Sequence, residues 1–193
     1  MSEIKKEPRA AILLADGCEE IEALTTVDLC FRAGVALDKI SIQDTVDVTS
    51  SHKVRFQADL CVKDADLEGY DMLILPGGMP GTMNLKACEP LCGALIKADR
   101  QGKWIAAICA APSVLGDLGL LKGRRATCNP SWEEKVAQAG ANLTHEEVTV
   151  DGRIITSQGM GTSTPFALAI IAALQGQEAA EAMARKIVWH MQG

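Results

Sequence analysis

Short apolar runs recur along the chain, separated by stretches in which apolar residues return every three or four positions. Ala10–Ala15 reads as a buried strand ending in the turn Asp16-Gly17. Helical periodicity follows over Glu20–Ala33, carried by Ile21, Leu24, Val27, Leu29 and Phe31, and Gly34 stops it. A second strand holds Ser41–Ile42, and residues 44–66 divide into short strands or a hairpin at Val46–Thr49, Val54–Phe56 and Cys61–Val62. Asp71–Leu75 is a buried strand closed by Pro76-Gly77-Gly78, and a helix is predicted over 82–100, ending near Gly102. Trp104–Ile108 forms the next strand; Cys109 follows it, and Ala110-Ala111-Pro112 opens a short helix to about residue 118. Residues 123–130 hold a turn and a short strand, and Ser131–Ala139 reads as a helix with Ser131 as N-cap. Val148–Val150 and Arg153–Ser157 form a hairpin about Asp151-Gly152. Thr164–Leu174 and Glu178–Met191 are helices split by Gly176.

Repeated strand–helix units with continuous apolar strands predict an α/β fold, its mostly parallel sheet covered on both faces. Ligands of such sheets bind beyond the carboxyl ends of the strands. Four strand ends carry unusual residues: 16–22, 76–78, 109–110 and 156–159. They are expected to converge on one crevice.

Length and composition narrow the classes further. A chain of 193 residues reads as one domain, with residues 1–9 as a flexible polar segment. A net charge of −6 with no basic stripe argues against a nucleic-acid footprint. Residues 1–9 lack an apolar signal core, and the longest apolar stretch, 104–121, is broken by Pro112 and Asp117. No membrane span is expected, and the expected location is cytoplasmic. The seven cysteines, an odd count without a secretory signal, imply reduced thiols. Cys88 and Cys92, four apart on one helix face, lack a second ligand pair and read as small apolar fillers, not a zinc site. No metal or other cofactor is expected.

Cys109 is the foremost candidate for chemistry. A thiol at a strand-to-helix turn, flanked by small residues, sits where backbone amides and a helix N-terminus lower its pKa. Glu19 and Glu20 read as complements of the first helix's dipole. Glu22 is assigned to the inward face, with Ile21, Thr25 and Thr26; a buried carboxylic acid there stays protonated and donates to a thiolate. Gly77-Gly78 lets amides approach a ligand, and with the Ala110 amide it could form an oxyanion hole. The three histidines, His52, His145 and His190, all read as surface residues, so no cysteine–histidine pair is expected.

Asp16-Gly-Cys-Glu-Glu-Ile-Glu22, Asp71-Met-Leu-Ile-Leu-Pro-Gly-Gly78, Ala106-Ala-Ile-Cys-Ala-Ala-Pro112 and Thr156-Ser-Gln-Gly-Met-Gly-Thr-Ser163, running into Phe166-Ala-Leu-Ala-Ile170, occur in that order. Together they resemble the DJ-1/ThiJ/PfpI family, from Ala11 to about Ala184. The resemblance implies a flavodoxin-like three-layer sandwich and a homodimer. It implies that Cys109 is the reactive, oxidisable cysteine, that Glu22 is the protonated acid bonded to it, and that Gly78 and Ala110 supply the oxyanion amides. Members convert methylglyoxal to lactate without glutathione, and deglycase activity is reported. Others are oxidative-stress sensors or chaperones, and some are peptidases. Where many members carry His-Pro, this chain has Asn129-Pro130, which leaves proton transfer to Glu22 alone and weakens a peptidase reading. Cys18 and Cys128 are expected to flank the crevice, where either could form a disulfide with an oxidised Cys109. The expected function is cysteine-dependent chemistry on small reactive carbonyls; the alternative is a redox sensor in which Cys109 is oxidised to sulfinate without fast catalysis.

Overall fold

Along the central strands, successive side chains point to two different helical layers in the computed structural model, which describes residues 7–190. Most of the segment 1–9, and Met191, lie outside the described residues; the last helix, expected to reach Met191, already stops at Lys186, and 187–190 are non-helical. The elements run β1 (Arg9–Leu14), α1 (Glu20–Ala33), β2 (Ala36–Ser41), β3 (Asp47–Thr49), β4 (Arg55–Gln57), β5 (Leu60–Cys61), β6 (Met72–Leu75), α2 (Gly81–Ala87), α3 (Glu89–Arg100), β7 (Trp104–Ile108), α4 (Pro112–Asp117), β8 (Arg125–Ala126), α5 (Glu133–Gln138), β9 (Asn142–Leu143), β10 (Val148–Asp151), β11 (Ile154–Ser157), α6 (Ser163–Gln175) and α7 (Gln177–Lys186). The main sheet has the order β10-β11-β7-β6-β1-β2-β5, parallel except for the β10–β11 hairpin.

Leu13, Leu73, Leu75, Ile105 and Ala107 face one layer, where Leu85, Leu91, Leu95 and Val114 cover them from α2, α3 and α4. Ile12, Leu14, Ile74, Ala106 and Ile108 face the other, against α1, α6 and α7 through Leu29, Phe166, Ile170 and Met183. This is the three-layer flavodoxin-like sandwich. Ile12, Ile74 and Phe166 are fully buried, so truncating any of them to alanine costs roughly 2–5 kcal/mol. Among the described residues, no helix is long and apolar enough to cross a membrane.

Several local expectations need correction. The buried face of α1 is Glu22, Ala23, Thr26, Leu29 and Cys30, while Ile21 and Phe31 are exposed, Phe31 by 82%. Glu22 therefore points inward, but not in the company of Ile21. The helix expected over 82–100 is two helices, broken at Cys88 with Pro90 in the first turn of α3. In a continuous helix the Pro90 ring would meet the Lys86 carbonyl and give it no N–H. The Cys92 thiol donates to that carbonyl instead, at 3.3 Å. Cys88 and Cys92 thus lie on either side of a break, both half-buried. Asn129, not Ser131, caps the turn before α5: its side chain accepts from the Ser131 amide at 3.0 Å. The hairpin pairs Asp151 with Ile154, which makes Gly152-Arg153 its two-residue loop, with Gly152 at φ 60°.

Candidate active site

The four strand ends do converge. The turn after β7 closes with the Ala111 amide donating to the Ile108 carbonyl at 3.0 Å, and Cys109 takes φ +66° within it. That left-handed conformation costs a non-glycine residue roughly 1–2 kcal/mol. The end of β11 and the loop after β8 hold it: the Cys109 amide donates to Ser157 O, and its carbonyl accepts from the Asn129 amide, both at 2.9 Å. The thiol is half-buried, and the amides of Ala110 and Gly78 hydrogen-bond its sulfur.

Glu22 reaches the same point from the first turn of α1. Glu19 caps that helix, its side chain accepting from the Glu22 amide at 2.7 Å. Glu22 is 1% exposed; its Oε2 accepts from the Gly77 amide at 2.8 Å, Oε1 has no hydrogen-bond partner, and the carboxyl interacts with the Cys109 side chain. Gly77 must be glycine, since a Cβ there would lie 2.7 Å from the Cys109 Cβ and 2.8 Å from Glu22 Oε2.

Burial pushes the Glu22 carboxyl up to about 7, against its hydrogen bonds from Cys109 and Gly77. Burial, then the charge and hydrogen bond of an ionised Glu22, push the Cys109 thiol up to about 12; the Ala110 and Gly78 amides pull it down. The expected low-pKa thiol is therefore not met while Glu22 is ionised. The helix behind Cys109 is short, six residues, and a dry site opposes charge on sulfur more than its dipole favours it.

Of the remaining predicted residues, Asn129 stands beside the site. A Cβ added at Gly159 would lie 3.5 Å from Asn129 Nδ2, 3.8 Å from the Cys109 sulfur and 3.9 Å from Glu22 Oε1. Gly159 therefore lies beside the elbow; the sequence included it in the strand end 156–159 but gave it no role. Cys18 and Cys128 are buried free thiols, each raised to about 12 by burial first. All three histidines are exposed; His52 pairs with Glu20 at 3.1 Å and His145 with Glu133 at 2.9 Å.

The fold and site together define a flavodoxin-like sandwich in which a buried acid faces a thiol at a strained elbow. The chain belongs to the DJ-1/PfpI family, whose model matches residues 8–173. It is 38% identical over 173 residues to Protein DJ-1 homolog B of Arabidopsis thaliana, covering 89% of this chain and 39% of that protein. The chain thus spans well under half the length of that relative. It is 36% identical over 171 residues to the glutathione-independent glyoxalase DJR-1.2 of Caenorhabditis elegans, covering 88% of this chain and 90% of the relative. The structure of oxidized Toxoplasma gondii DJ-1 superposes with a TM-score of 0.90 at 33% identity, covering 95% of this chain and all of that one.

Proposed function

We propose that this protein is a cysteine-dependent enzyme for small reactive carbonyls, of the glutathione-independent glyoxalase type. The observation that carries the reading is the contact between Glu22 and Cys109. The sulfur has two amide donors, whereas Glu22 Oε1 has none. The reactive state in this reading carries the proton on Glu22 and the negative charge on sulfur, the acid then being a third donor to the thiolate; burial opposes that state, which the two amide donors offset. The name of the C. elegans relative supports the same chemistry.

In this scheme the Cys109 thiolate adds to the aldehyde carbon of methylglyoxal and forms a hemithioacetal. The amides of Gly78 and Ala110 hold the oxyanion. Glu22 first gives its proton to that oxygen, which completes the hemithioacetal; the carboxylate so formed then removes the proton from the same carbon and returns it to the neighbouring carbonyl carbon through an enediol, leaving a lactoyl thioester on Cys109. Water hydrolyses the thioester, releasing lactate and restoring the thiol. Lactate formation from methylglyoxal by the wild type, Cys109→Ala and Glu22→Gln tests the scheme. Turnover is expected only in the wild type, and activity that survives Cys109→Ala overturns it. Activity on glycated protein amines is the same attack on a larger carbonyl adduct.

One observation favours a redox sensor as second reading: the polar side chain beside the elbow is Asn129, which cannot titrate. Peroxide would then oxidise the Cys109 sulfur to sulfenate and sulfinate, itself being reduced to water. Intact mass after mild peroxide separates the cases, since a sensor requires Cys109 to gain oxygen before the other thiols. A homodimer is inferred from the family resemblance, and light scattering on the eluting protein checks it.

A further inference from the structure

Glu19 stands at the N-cap of α1, where its Oε2 accepts from the Glu22 amide at 2.7 Å. Helix starts favour short polar caps such as Ser, Thr, Asp and Asn; a glutamate must fold a longer side chain back to do the same. Glu22, three residues on, holds the position whose carboxyl ordinarily closes a capping box by reaching back to the N-cap amide. Here that amide is already taken. Glu19 N donates to Gly77 O at 3.0 Å, and Gly77 N donates to Glu22 Oε2 at 2.8 Å. The Gly77 peptide is thus inserted into the box, and Glu19, Gly77 and Glu22 are joined in a closed circuit of three hydrogen bonds. The circuit keeps the Glu22 carboxyl off its own helix start and beside the Cys109 side chain.

We propose that Glu19 is a positioning residue for the chemistry at Cys109: acting through Glu22, it holds that carboxyl in the site and makes it the costlier place for the pair's negative charge, leaving that charge to sulfur. The inference deepens the enzymatic reading above and rests on Glu22 being the acid that faces the thiol. Two carboxylates within one helical turn repel each other. The charge of Glu19 bears on Glu22, whereas the charge that bears on Cys109 is that of Glu22. Other neighbours do not take over this role. Glu20 pairs with His52 at 3.1 Å, and Asp16 accepts from the Thr49 amide at 2.7 Å. Cys18 is pushed up to about 12, by burial first, and stays neutral. Gly77, Gly78, Asn129 and Gly159 are uncharged, and α6, packed on α1, opens with uncharged Ser163, Thr164 and Pro165.

Iodoacetamide alkylation of Cys109, followed by peptide mass across pH, tests the proposal in the whole protein; the ultraviolet thiolate band, taken against Cys109→Ala, is the second readout. Glu19→Gln keeps an oxygen for the Glu22 amide and removes the charge. It should melt near the wild-type temperature, yet its plateau rate and thiolate band should fall by about two- to threefold and its inflection by about half a unit. Glu19→Asp, which keeps both charge and cap, should stay close to the wild type. In Glu22→Gln, the further change Glu19→Gln should alter neither readout. An unchanged rate and inflection in Glu19→Gln, an aspartate variant that behaves like the glutamine one, or an equal change in the Glu22→Gln background overturns the proposal. A lower melting temperature with both readouts unmoved reduces Glu19 to a helix cap and overturns it as well. If lactate formation is absent while the shifts hold, the glyoxalase reading falls and the role of Glu19 stands.

Discussion

The Gly77 amide donates to Glu22 Oε2 at 2.8 Å, which anchors the carboxyl beside the Cys109 side chain and leaves its other oxygen without a hydrogen-bond partner. The absence of a side chain on Gly77 makes this contact possible, and it brings a strand end and a helix start within reach of one nucleophile.

The pair's proton has a consequence for stability. Glu22 is raised from 4.5 to about 7, so between those values the native state holds a proton that the unfolded chain has lost. Stability is then full below the unfolded value and falls as pH rises through the window. The loss amounts to roughly 3 kcal/mol at most. Urea unfolding at about pH 5 and about pH 8 should show it in the wild type and not in Glu22→Gln. Equal loss in both proteins removes Glu22 as its source.

The location of the charge can be read from reactivity. If the thiolate forms against a protonated Glu22, Cys109 alkylation by iodoacetamide rises with one inflection near the Glu22 value of about 7. A rate still climbing toward the raised thiol value of about 12 places the charge on the carboxyl and defeats the mechanism.

Two glycines should respond differently to alanine. In Gly77→Ala the new Cβ meets the Cys109 Cβ and the Glu22 carboxyl below 3 Å, so we expect roughly 1–3 kcal/mol of destabilisation and loss of lactate formation. Gly159→Ala places its Cβ at ordinary contact distances. It should fold with near-normal stability, yet crowd the space where a substrate meets sulfur. Thermal melts beside lactate assays distinguish the two.

The elbow itself stores strain. Cys109→Gly should be more stable than Cys109→Ala by roughly 1 kcal/mol, because glycine accepts φ +66° without the Cβ clash. The order of the two melting temperatures checks this, and a more stable alanine variant contradicts it.

Asn129→His would place a titratable group beside the elbow. We expect faster turnover with a new inflection near the imidazole value of ~6.5. Loss of the cap on the Ser131 amide should cost about 1 kcal/mol. A pH–rate profile and a melt measure both, and an unchanged profile argues against residue 129 as a proton-transfer position.

Much of this was legible in the chain because its signals are local. The apolar runs at Ala10–Ala15 and Trp104–Ile108 could only be buried strands, and the small residues around Cys109 announced the turn. What failed depended on neighbours distant in sequence. Ile21 and Phe31 fit a helical period but face outward, since α1 packs its Glu22–Thr26–Leu29 face on α6 and the sheet. The thiol's raised pKa follows from dryness and from Glu22, neither visible at residue 109. Gly159 lacks a side chain that could announce it, and its place depends on β11 pairing beside β7.

The loop after β1 and the loop after β6 are interlocked through backbone. Glu19 N donates to Gly77 O at 3.0 Å and Gly81 N to Gly17 O at 3.1 Å, and the Asn84 side-chain Nδ2 adds a bond to Asp16 O at 2.9 Å. A Cβ at Gly81 would lie 2.7 Å from the Cys18 Cα, so the two chains touch with nothing to spare. Widening the crevice on this side would break three hydrogen bonds at once, so these two loops move together or not at all.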